Sequence, residues 1–176
     1  MIKGRCWVAD DYVMAYDIII QKYWTSALDP DENSKWVMAG VDEAFNKENG
    51  FKDEGYTFIV AGHNFAGGGK SIEHVITGLM GAGIKAVIAD SFSRLQFRNA
   101  INYGFPFVTC NEIKSICKTG DELEVNLESG EIINHSSGKS IEASPIPEFV
   151  LSVAEEGGMV NYIQKVIKED RIEELR

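Results

Sequence analysis

Short apolar runs separated by polar, glycine-bearing segments dominate the first two-thirds of the chain. Ile2 to Val8 predicts a first strand. Phe58-Ile59-Val60-Ala61, Ala86-Val87-Ile88-Ala89 and Phe107-Val108-Thr109 are too short for helices and predict core strands buried on both faces. Between them the period changes. Ile72, Val75, Ile76, Leu79 and Met80 fall at i, i+3, i+4, i+7 and i+8, the single buried stripe of a helix that Ser71 would cap and Gly81 and Gly83 would end. Ser91 is placed to cap a second helix running to about Tyr103, with Phe92, Leu95 and Ile101 on its packed side.

Upstream, Leu28 to Lys35 reads as a turn-rich loop and Lys35 to Lys47 as a helix. Downstream, Leu123, Val125 and Leu127 alternate with polar residues, Glu128-Ser129-Gly130 turns, and Ile132-Ile133 starts a return strand. Met159, Tyr162, Ile163, Val166 and Ile167 define a final helix, and the tail from Lys165 to Arg176 frays into charge. Strand–helix alternation followed by a hairpin implies one α/β domain, with right-handed crossovers, a parallel core and an added β layer.

Composition narrows the function classes. Of 176 residues, 44% are apolar and 25% charged, as in an ordinary soluble globule. The formal net charge is −10, and acidic residues are spread along the chain, which argues against a nucleic-acid binder. Cys6, Cys110 and Cys117 form no CxxC pair, so reduced thiols and a cytoplasmic setting are expected. No stretch approaches membrane-spanning length.

Candidate chemistry concentrates in Gly62-His63-Asn64-Phe65-Ala66-Gly67-Gly68-Gly69-Lys70-Ser71, between a core strand and a helix. Backbone amides and the helix dipole favour an anion there, and Gly67, Gly68 and Gly69 let a ligand approach the backbone closely. Three readings stay open on residue type. The segment is a plain tight turn, a carboxylate or phosphate cradle, or a P-loop. Asn64 to Ser71 misses only the first glycine of G-x-x-x-x-G-K-S, and Asp90 ends an apolar strand as a magnesium-binding aspartate would. Arg94, Arg98 and Asn102, at i, i+4 and i+8, share one helix face and with Ser91 could hold a di- or tricarboxylate. The alternative is a solvated face.

In order, these motifs resemble the swivel domain of the aconitase superfamily, and most closely the separate small subunits of 3-isopropylmalate dehydratases. The residues that carry the resemblance are Gly62-His63-Asn64-Phe65, Glu73-His74, Gly81-Ala82-Gly83-Ile84-Lys85-Ala86-Val87-Ile88-Ala89-Asp90-Ser91-Phe92-Ser93-Arg94 and Arg98-Asn99-Ala100-Ile101-Asn102-Tyr103-Gly104. Flanking matches include Gly4-Arg5, Ala39 to Phe45, Cys110 and Gly157 to Tyr162, so the likeness spans about residues 1–168 and leaves 169–176 as a charged tail. The resemblance implies a swivelling three-layer β/β/α fold. It also implies a large-subunit partner that holds a [4Fe–4S] cluster, none bound by this chain, and dehydration of a hydroxy di- or tricarboxylate, isopropylmalate in leucine biosynthesis by default.

The loop departs from the family pattern. Where the family usually reads G-R-N-F-G-C-G-S-S-R-E-H, this chain is one residue longer; His63 replaces an arginine, Lys70 a serine and Ile72 the substrate-binding arginine. The altered Asp10 to Ile20 stretch stands where the family has D-N-I-D-T-D-x-I-I-P. Lys70 and Ser71 become the catalytic candidates, with His63, Asn64, Gly67, Gly68, Gly69, Arg94 and Arg98 as substrate-binding candidates. A paralogue acting on another malate-type acid and a non-catalytic binding or regulatory subunit are the competing expectations.

Overall fold

The computed structural model describes residues 1–25 and 28–175. Its centre is a sheet of seven strands in the order β4-β3-β2-β1-β5-β6-β7. The strands are β1 Ile2–Val8, β2 Phe58–Ala61, β3 Ala86–Ala89, β4 Phe107–Thr109, β5 Glu122–Val125, β6 Glu131–Asn134 and β7 Lys139–Glu142. The helices are α1 Ala15–Ile18, α2 Pro30–Ser34, α3 Glu73–Gly81, α4 Arg94–Asn102, α5 Glu148–Glu155 and α6 Met159–Lys168.

β1 joins the parallel and antiparallel halves of this sheet. Its second half pairs in parallel with β2, Cys6 opposite Phe58 and Val8 opposite Val60, and β2, β3 and β4 continue in parallel. Its first half pairs antiparallel with β5, Ile2 opposite Val125, and the hairpin β5–β6 leads on to β7. Because side chains alternate along a strand, the parallel core sorts its residues into two clusters. Ile59, Ala61, Val87, Ala89 and Phe107 pack with Ile76 and Leu79 of α3. Phe58, Val60, Ala86, Ile88 and Val108 pack with Leu123, Val125 and Ile132 of the curled antiparallel part. Both faces of the parallel strands are therefore dry, and the layers are β, β and α.

Five expectations need correction. The stretch from Lys35 to Lys47 is not a helix, and the loop before it contains one. Asp29 caps α2 by accepting from the Asp31 amide at 2.8 Å, and Pro30 takes the first helical position, where its missing N–H costs nothing. After Lys35 the chain turns at Met38, φ 66°, and its Gly40 amide donates to the Asp17 carbonyl rather than to a helical partner. Second, Ser71 and Ser91 cap no helix. α3 begins at Glu73 after Ile72, α4 at Arg94 after Ser93, and neither cap makes a side-chain bond. Third, the buried side of α4 is Gln96, Asn99 and Ala100, whereas Leu95 is 38% exposed. Fourth, β7 and α5 were not expected. The polar edge strand Lys-Ser-Ile-Glu carries almost no apolar signal, and α5 is masked by Pro145 and Pro147. At the other end, α6 runs on to Lys168 and a 3₁₀ turn follows from Ile172 to Leu175, so the tail after Lys165 does not simply fray; Arg176 lies outside the described residues.

Candidate functional site

The parallel strands all deliver their carboxyl ends to one edge, the general ligand position of such sheets. The loop from Gly62 to Ile72 is fastened there on both sides. Towards the segment after β1, Tyr12 N–H donates to the His63 carbonyl at 2.7 Å, Gly67 N–H to Val13 at 3.1 Å, and Ala15 N–H to Gly67 at 2.9 Å. Towards the segment after β3, Phe65 N–H donates to Ser91, Ser93 N–H to Phe65, and Asn64 N–H to Ser91 Oγ at 2.9 Å. Phe65 and Ala66 are buried as the loop's anchor. Asn64 and Ala66 hold φ of 51° and 57°, a left-handed backbone sustained by these surrounding bonds.

Beyond that anchor the loop emerges. Gly67 is buried, while Gly68, Gly69, Lys70 and Ser71 are exposed. Gly68 at φ +109° and Gly69 at φ +72° turn the chain through conformations that a side chain would strain. Ile72 is 4% exposed and belongs to the core, so it offers nothing to a carboxylate. Lys70 Nζ stands 5.8 Å from the centroid of Tyr16, Tyr16 stacks on Trp24, and Trp24 stacks on His74. His74 Nε2 lies 2.9 Å from the Thr25 carbonyl, which can only accept, so Nε2 carries a proton. Lys70, Ser71, Trp24, Leu28 and His74 border an open cleft of about 430 Å³.

Charge is arranged next to this loop. His63 Nε2 lies 3.8 Å from Asp90 Oδ2, and Asp90 Oδ1 accepts from the Glu112 amide at 2.8 Å. Asp11 pairs with Lys114 at 3.1 Å, and that ammonium holds its carboxyl below the usual carboxylate range. Arg94 and Arg98 are exposed, and they border a different hollow of about 300 Å³ with Ser91, Phe92 and Thr109. The structure thus unites His63, Asn64, Gly67, Gly68, Gly69, Lys70 and Ser71 on one loop and sets the arginine pair to its flank. Among the described residues no carboxylate pairs with either arginine.

The P-loop reading does not fit this geometry. The Gly67 amide is spent on Val13, Glu73 puts a negative charge in the first turn of α3, and Asp90 is committed to the Glu112 amide. Two residues escaped the sequence reading. Gln96 and Asn99 face the loop from α4: Gln96 Nε2 donates to the Lys70 carbonyl at 3.3 Å, and Ser71 Oγ donates to Asn99 Oδ1 at 3.0 Å. Their i, i+3 spacing with Ala100 was the available signal, hidden because a polar inward face breaks the apolar-stripe rule.

The thiols sit elsewhere, all in the core. Burial pushes Cys110 up to about 11, and the Cys6 thiol, the donor in its hydrogen bond with Cys117 and buried as well, is also pushed up. Among the described residues no group of three or more His, Cys, Asp and Glu is arranged to hold a metal ion, and no helix is long and apolar enough to cross a membrane.

Comparison with known proteins gives a consistent picture. Residues 15–111 match the aconitase C-terminal domain family. The chain is 42% identical to the isopropylmalate/citramalate isomerase small subunit of Methanocaldococcus jannaschii, over 97% of this chain and 98% of the relative. It is 40% identical to a 3-isopropylmalate dehydratase small subunit of Methanopyrus kandleri, over 94% of each. The crystal structure of a 3-isopropylmalate dehydratase from M. jannaschii superposes with a TM-score of 0.83 at 35% identity, covering 97% of this chain and 98% of that one.

Proposed function

This chain belongs to the aconitase C-terminal domain family, among the small subunits of 3-isopropylmalate dehydratases, and on that premise we propose what its loop does. It acts as the small subunit of an iron–sulfur hydro-lyase in leucine biosynthesis, in the cytoplasm, with isopropylmalate as the default substrate. The observation that carries this reading is the exposed Gly68-Gly69-Lys70-Ser71 segment, held by its neighbours at the open edge of the parallel sheet.

Loss of water from such a hydroxy acid needs a proton taken from the carbon next to a carboxylate, binding of the carboxylates, and departure of hydroxide. Ser71 Oγ, open to the cleft, is the proton acceptor. Lys70, held over the Tyr16 ring in the exposed part of the loop, is the cation that anchors a carboxylate in place of the family's arginine. The free amides of the glycine turn and Asn64 complete the oxygen-binding surface, His63 is its hydrogen-bond donor backed by Asp90, and Arg94 and Arg98 bind the outlying carboxylate or guide it in. A [4Fe–4S] cluster supplies the Lewis acid for hydroxide departure when the large subunit is bound. The three buried thiols here, two of them held protonated, do not fit that group, which is why it is assigned to the partner.

Because Ile72 is core and Lys70 stands one residue before Ser71, the carboxylate geometry differs from the family's. This supports a second reading, a paralogue for another malate-type acid such as citramalate. Coexpression with a large subunit tests both. The expected result is a brown complex that hydrates isopropylmaleate, while this chain alone is colourless and inactive. Iron–sulfur absorbance in the isolated chain would sink the assignment of the cluster to the partner. Turnover of citramalate with none of isopropylmalate would select the paralogue.

A further inference from the structure

Two amide side chains lie where an amphipathic helix normally buries aliphatic ones. Gln96 is 0% and Asn99 8% exposed, on the inward face of α4 and packed against the Lys70–Ser71 end of the loop. Buried polar groups are costly unless each finds its partner, so the direction of the chain they form follows from its fixed end. The Lys70 carbonyl can only accept, so Gln96 must present Nε2 to it, at 3.3 Å. Gln96 Oε1 then faces Asn99, which must answer with Nδ2, at 3.4 Å. That leaves Asn99 Oδ1 for Ser71, whose hydroxyl donates to it at 3.0 Å.

We propose that Gln96 and Asn99 are positioning residues: an oriented amide pair that fixes Lys70 through its backbone and aims Ser71 Oγ at the substrate. This rests on the reading of Ser71 as proton acceptor. Asn99 holds the Ser71 hydroxyl with its lone pairs facing the cleft. Ser71 becomes the acceptor when that hydrogen passes to water in the open cleft, and on taking the substrate proton it is a hydroxyl again. Neutrality of the acceptor matters as much as its place. A carboxylate at position 99 would keep the hydrogen bond but oppose ionisation of the serine. The charged and titratable groups around Ser71 are Lys70, Glu73 and His74 on its own loop and helix and Tyr103 on α4, which donates to Glu73 at 2.7 Å.

The test uses the reconstituted two-subunit complex. Asn99→Leu should lower kcat about tenfold, the loss of one hydrogen bond, with KM unchanged within about twofold. Added to Ser71→Ala it should cost nothing further, because the group it positions is already gone. Asn99→Asp should retain a cooperative melt and move the rate-versus-pH curve to the alkaline side. Losses that multiply in the double variant, or an Asn99→Asp profile superposable on wild type, overturn the proposal while leaving Ser71 its role. Wild-type turnover by Ser71→Ala instead removes Ser71 as the acceptor and the proposal with it. Should Asn99→Leu fail to fold, the Asn99→Asp pH profile alone decides.

Discussion

The backbone amide of Asn64 donates to Ser91 Oγ at 2.9 Å, so one hydroxyl ties the loop after β2 to the loop after β3. Asn64 sits at φ 51°, a conformation that needs such support. Ser91→Ala should cost about 1 kcal/mol, which for a chain of this size lowers Tm by about 2–4 °C. The loss of kcat/KM should exceed that of a control variant with the same Tm, because this bond helps to hold the loop that carries the glycine turn. Calorimetry together with kinetics of the complex checks it, and unchanged values in both would leave the bond without a role.

Lys70 and Ser71 should separate kinetically. As a carboxylate anchor, Lys70 should tolerate Lys70→Arg with substantial activity, and Lys70→Met should mainly raise KM. Ser71→Ala should be the change that collapses kcat. A reversed order, with Lys70→Arg inactive and Ser71→Ala mild, would make Lys70 the base, since a guanidinium does not give up its proton near neutral pH.

The glycine turn offers a paired test. At Gly68 a Cβ would stand 3.3 Å from Met14 Cε and at φ +109°, so Gly68→Val should abolish turnover while the core, and hence the cooperative melt, changes little. At Gly69, φ +72° with nothing within 4 Å, Gly69→Asn should cost fold and turnover less than Gly68→Val, because asparagine tolerates the left-handed region better than other side chains. Equal loss of Tm and activity in Gly68→Val would support a merely structural turn.

Tyr103 gives a pH prediction. Burial, together with its hydrogen bond to the Glu73 carboxylate, pushes its phenol up to about 12 from the ordinary 10.0. The folded state then holds a proton that the unfolded chain releases, so this contribution to stability is intact below pH 10 and is lost as pH rises towards 12. Tyr103→Phe should flatten the alkaline decline in Tm over that interval. A parallel decline in both proteins would assign it to other groups.

Much of the core was legible because its rule is local. Phe58 to Ala61, Ala86 to Ala89 and Phe107 to Thr109 are unbroken apolar runs, and strands dry on both faces must look that way. Ile72 was readable as core from the α3 stripe, and it is 4% exposed. Lys35 to Lys47 misled because its apolar residues pack by way of turns at Met38 and Gly40, where backbone partners come from Asp17 and Ile18, distant in sequence.

By itself, the sequence determined the strand–helix alternation, the hairpin, the family and the loop that carries Lys70 and Ser71, since each is written in spacing or in an ordered string of residues. Only the tertiary structure decided what those residues touch. It moved Ser71 and Ser91 from helix caps to bonds with Asn99 and Asn64, set Arg94 and Arg98 beside a separate hollow, and turned Gln96 and Asn99 towards the loop. The reason is that a polar side chain takes whichever partner packing brings within about 3 Å, and the partners here are 26 to 28 residues away along the chain.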